Sequence, residues 1–111
     1  MGTDFVIVST TIDSTEKAGW LGRAMVEMRL AACVHMMPIA TVYRWKGDIK
    51  TAEEYRILAK TRADLADTLV EFIKENHTYE VPEVLVTPVL SGHKPYLQWI
   101  SDETGQNPAT D

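Results

Sequence analysis

A single cysteine, Cys33, stands among the 111 residues, so no disulfide can close within the chain. One lone thiol suits a reducing compartment. Basic residues are also in the minority, 11 Lys and Arg against 16 Asp and Glu, for a net charge of -5. That balance argues against a nucleic-acid groove or an anionic membrane surface as the main partner. No apolar run approaches the roughly 18 residues that a membrane-crossing helix needs. Residues 1–4 lack the basic start and apolar stretch of a signal peptide, which makes a cytoplasmic location the expectation. Missing too are a glycine-rich phosphate loop, a nucleophile elbow and paired metal ligands at an established zinc spacing. A non-enzymatic binding protein that needs no cofactor is therefore expected.

What is present is the composition of an ordinary folded domain, 45% hydrophobic and 24% charged. Such a length suits one core. We expect a single domain over 1–103 and a loose, polar tail over 104–111. A domain this small buries only about two thirds of its unfolded surface, so apolar area covered by a partner would add appreciably to stability.

Residues 5–12 (FVIVSTTI) are short and β-branched, as a strand requires. Asp13 and Glu16 stand three apart, like an N-cap and its N3 partner, and Ala18, Leu21, Met25 and Met28 follow at helical spacing. A helix over 14–29 is expected. Thr61 and Asp64 repeat the capping pattern before Leu65, Leu69, Phe72 and Ile73, which predicts a second helix over 61–76. Between them, two β-branched and aromatic stretches flank Lys46-Gly47 and read as a hairpin, with Gly47 supplying the positive φ of a tight turn. Another strand is expected over 84–90, and Pro95 suits the first turn of a short helix carrying Tyr96, Leu97, Trp99 and Ile100.

The order β-α-β-β-α-β-α is that of an α+β, ferredoxin-like antiparallel sheet with both main helices on one face, here with a long β-hairpin arm and a short C-terminal helix. A strand over 48–60 would reach roughly 40 Å, well beyond a domain whose radius of gyration should be near 13 Å. The overhang would carry Val42, Tyr43, Trp45, Ile49 and Tyr55, apolar surface that another chain could cover. The alternative is a hairpin bent back at a bulge near Pro38.

Two groups of residues have chemistry to offer. Cys33 and His35 alternate onto one face of a strand, where they could join in holding a soft metal or, with further groups, form a catalytic dyad of a small hydrolase. A buried cysteine acting as a small hydrophobe is the plainer expectation. The segment 77–83 (HTYEVPE) gathers an imidazole, a phenol and two carboxylates in a loop, a mixture able to bind a cation, although Pro82 also serves to launch the next strand. Glu53 and Glu54 read as solvated or cross-strand charges on opposite faces.

The blocks RLAAC (29–33), YRWKG (43–47), Lys60-Thr61 and HTYEVPE occur in one order that resembles the CutA-type divalent-cation-tolerance proteins, over about residues 5–100. The resemblance implies a homotrimer joined by its long hairpins, with an architecture similar to the PII nitrogen-signalling proteins. It further implies a link to copper or another divalent cation, with Cys33 and His77 at positions considered for metal binding. Glu83 of the 77–83 loop joins them as the third donor of the candidate metal cluster. A PII-like signalling scaffold that takes a small molecule or a protein partner at its subunit clefts is the other reading. Departures from the family pattern are Thr78 in place of proline, His35 in place of a small polar residue, and Ile12 in place of proline.

Overall fold

The computed structural model describes residues 4–105. Strands β1 (Phe5–Ile12), β2 (Cys33–Trp45), β3 (Asp48–Arg62) and β4 (Val84–Pro88) form one antiparallel sheet in the order β2-β3-β1-β4. Helices α1 (Thr15–Glu27) and α2 (Ala66–Asn76) supply the apolar side of the core, and α3 (Lys94–Asp102) follows β4. This is the expected α+β, ferredoxin-like arrangement.

Strand alternation sorts the sheet into two faces. Val6, Val8, Ile57 and Ala59 point to one side and are buried with Leu21 and Met25 of α1 and Leu69 and Ile73 of α2. Gly22 lets α1 approach β2 closely, since a Cβ there would stand 3.2 Å from Cγ1 of Val34. The hydroxyl oxygens of Thr10 and Thr61 are buried without a partner; both residues belong to the series that faces the helices.

Helix boundaries depart from the sequence pattern in instructive ways. Ser14, not Asp13, caps α1: its side chain accepts from the Lys17 backbone N–H, while the Asp13 carboxylate pairs with Lys17 Nζ at 3.1 Å. The helix ends before Arg29, which sits in the left-handed region at φ 59 and closes a Schellman turn, with Leu30 N–H donating to Met25 O. Glycine is usual at this position, and the Arg29 side chain accounts for the exception. Its guanidinium donates to the carbonyls of Gly105 and Asp102, at 2.7 and 2.6 Å, and so ties the end of α1 to the end of α3.

Thr61 is no helix cap. It lies inside β3, paired with Val6, because β1 holds the strand as far as Arg62; a 3-10 turn (Ala63–Leu65) then leads into α2. Pairing with a neighbouring strand here outweighs a capping pattern that depends only on local sequence. β4 stops at Pro88 instead of reaching Leu90. Thr104 and Gly105, placed by composition in a loose tail, are held: Thr104 is buried and donates to Ile100 O, and Gly105 N–H donates to Arg29 O. The remainder of that expected tail, 106–111, lies outside the described residues.

The hairpin neither bends nor bulges. Its register runs without a break from Cys33↔Lys60 through Pro38↔Tyr55 to Trp45↔Asp48. β1 pairs with β3 only as far as Tyr55, so residues 39–54 leave the sheet as a two-stranded arm, roughly 20 Å long. The longest axis of the molecule is accordingly 49 Å against 30 and 21 Å for the others. Lys46 and Gly47 both take positive φ, 50 and 88, as the twist-matched type I′ turn demands.

Candidate functional site

Where the arm leaves the sheet, one side of it faces the loop that joins α2 to β4. Thr41, Tyr43, Trp45 and Glu54 alternate onto that side, and Tyr79, Glu80 and Glu83 approach from the loop to form the walls of an open cavity of about 430 Å³. The Tyr79 hydroxyl donates to Glu54 Oε2 at 2.6 Å and fastens the loop to the root of the arm. Burial, and then the adjacent Glu54 carboxylate, push the Tyr79 hydroxyl well above the ordinary tyrosine value.

Glu54 was expected to be a solvated or cross-strand charge, yet it is only 6% exposed. The cause is a contact 25 residues away in sequence, which no local pattern reveals. The ion pairs among the described residues are Lys17–Asp13, Arg23–Glu27, Arg62–Asp64 and Lys74–Glu71, and none of them reaches Glu54. Also lining the cavity is Thr41, whose hydroxyl oxygen is buried without a partner.

His77 anchors the loop from the other end. The Tyr79 backbone N–H can only donate, so Nδ1, 3.0 Å away, accepts; Nε2 then carries the ring proton and donates to Thr11 O at 2.6 Å. β4 has already ended at the Thr10↔Val84 pair. The imidazole thus satisfies a carbonyl beyond the reach of that strand, and both of its nitrogens are engaged.

Cys33 lies elsewhere. It opens β2, the sheet edge opposite β4, and is half-buried. Its register partner is Lys60, whose Nζ stands 3.3 Å from Nδ1 of His35. An ammonium therefore occupies the space beside the one pair of soft ligands, and a cation between Cys33 and His35 would have to displace it. Glu83 immediately precedes β4 on the far edge, so within one chain it is separated from Cys33 by three strand spacings across the sheet, about 14 Å, and by four residues, about 13 Å, along it. Among the described residues, no three His, Cys, Asp or Glu side chains come together to hold a metal ion. A site shared by Cys33, His77 and Glu83 would have to draw on more than one subunit.

The apolar load of the arm lies largely in the open. Val42 is 70% exposed and Ile49 67%, on adjacent strands of the side turned away from the cavity, and Tyr43 is 44% exposed on the cavity side. Lys46 Nζ lies 5.6 Å from the centre of the Trp45 ring, so the tip aromatic makes a local cation–π contact. No helix among the described residues is long and apolar enough to cross a membrane.

The sequence model of the CutA1 divalent ion tolerance proteins matches residues 6–103. A relative named Divalent-cation tolerance protein CutA, from Thermus thermophilus, is 38% identical over 100 residues, covering 89% of this chain and 97% of its own. Protein CutA 1, chloroplastic, from Oryza sativa is 37% identical over 103 residues, 92% of this chain; the chain spans only 58% of that longer relative. The crystal structure of CutA1 from Oryza sativa superposes with a TM-score of 0.90 at 36% identity, covering 95% of this chain and 97% of that one.

Proposed function

Because this chain belongs to the CutA1 divalent ion tolerance protein family, we propose that it is a non-enzymatic divalent-cation-binding protein, of copper type, that works as a homotrimer in the cytoplasm. The observation that carries the assembly is the two-stranded arm: seven consecutive residue pairs beyond β1 have no third strand and expose Val42 and Ile49. Solvent is a poor neighbour for that much branched surface, and a second copy of the same chain is the partner always at hand. Three copies is the number that the family resemblance implies. The PII-like alternative draws no support from the family match or from the relatives quoted above. The single thiol, suited to a reducing compartment, supports the cytoplasmic assignment, whereas the rice relative is named as chloroplastic.

The proposed donors are Cys33 of one subunit and Glu83 of the next, with His77 beside it. Edge position supports the pairing, because β2 and β4 are the two free edges of the sheet and joining them between subunits brings Cys33 and Glu83 toward each other. His77 fits less readily, since a ligating nitrogen must first give up Tyr79 N–H or Thr11 O. Titrating chelator-stripped protein with copper and with zinc tests the assignment. Cys33→Ala and Glu83→Gln should each weaken binding of one metal by about tenfold or more, the loss of one charged ligand. Affinities equal to wild type in both variants would exclude the site.

A further inference from the structure

The cavity between arm and loop has a chemistry that the proposed cation-binding role uses only at Glu83. Glu54 is a carboxylate 6% exposed, hydrogen-bonded to a neutral phenol and left without a counter-charge by every ion pair among the described residues. Buried carboxylates are ordinarily paired, and this one lines a cavity that two more, Glu80 and Glu83, also line. Thr41 adds a buried hydroxyl oxygen with no partner. The space of about 430 Å³ is far larger than a bare ion needs and falls within the range of organic-ligand pockets. Nor do the carboxylates converge on a point, as a metal would require. The rings of Tyr43, Trp45 and Tyr79 line the same space, together with Thr11 and Val81, and Lys46 shows that the Trp45 ring already draws an ammonium to 5.6 Å.

Carboxylates set among aromatic faces select a cation that is also apolar and planar or bulky. We propose that this cavity is a receptor for an organic cation, an alkylguanidinium or alkylammonium group, with Glu54 as its counter-ion and the three aromatic rings as its walls. The group arrives either on a free small molecule or on a Lys or Arg side chain of a second copy. Neither route depends on metal binding at Cys33.

Butylguanidinium and butylammonium are the probes, with neutral butyramide as the comparator of similar size, read by calorimetry on the intact, chelator-stripped protein. For a free ligand, wild type binds the two cations about tenfold or more tightly than butyramide, and Glu54→Gln, which still accepts from Tyr79, abolishes that preference. For a side chain of a second copy, the probes fail to bind, and Glu54→Gln raises the dissociation constant of the assembly about tenfold. If Glu54→Gln does not fold, Glu80→Gln and Glu83→Gln each reduce the same preference, or the same assembly constant, severalfold. Two results overturn the proposal: a preference for the cations that survives Glu54→Gln, or no preference in wild type together with unchanged assembly in Glu54→Gln.

Discussion

Replacing His77 by alanine separates two roles that its position allows, clamp and metal ligand. As a clamp, the imidazole gives one hydrogen bond to Thr11 O and receives one from Tyr79 N–H. Each contributes about 1 kcal/mol net, and Thr11 is buried, so leaving its carbonyl unsatisfied adds roughly 1–3 kcal/mol. The expected loss is about 3–5 kcal/mol, and it requires no metal. Urea denaturation of wild type and His77→Ala, both in excess chelator and at the same protomer concentration, measures it, the fixed concentration being needed because assembly contributes to apparent stability. A variant within about 0.5 kcal/mol of wild type under those conditions would refute the clamp. A stability gap that opens only when copper is supplied would refute it too and return His77 to the role of ligand.

Other outcomes follow from the same geometry. Folding raises the Tyr79 hydroxyl above its ordinary value, so its stabilisation is complete below about pH 10 and is lost as pH climbs beyond that. Urea midpoints at pH 9 and pH 11 should therefore fall further for wild type than for Tyr79→Phe, and equal falls would exclude Tyr79 as the source. Arg29→Ala removes two hydrogen bonds to the end of α3 and is expected to cost about 1.5–3 kcal/mol in urea unfolding. Thr10→Val and Thr61→Val replace buried hydroxyls that have no partner, and each should leave the thermal midpoint unchanged or raise it. Gly47→Ala meets no atom within 4 Å, so its penalty of about 1 kcal/mol comes from the positive φ alone and should appear as a lower urea midpoint.

Most of the fold could be read from residue patterns because periodicity and turn chemistry are local. The strand at 5–12, the Lys46-Gly47 turn and the apolar stripe of Leu21 and Met25 each depend on neighbours a few residues apart. Thr61 shows where such reading stops. Its capping pattern was sound, but Val6, 55 residues away, keeps the residue in a strand. The site divides in the same way. His77 and Glu83 were visible as unusual loop chemistry, whereas the burial of Glu54 depends on Tyr79 reaching across from another element. The engagement of both His77 nitrogens is likewise a tertiary fact, set by Thr11.

Sedimentation equilibrium at micromolar protein bears most directly on the claim that the protruding arm exists to be embraced. A mass about three times that of the 12.5 kDa chain, with Val42→Lys and Ile49→Lys together driving dissociation, is the predicted result. A folded species of 12.5 kDa, stable with its arm in water, would contradict it.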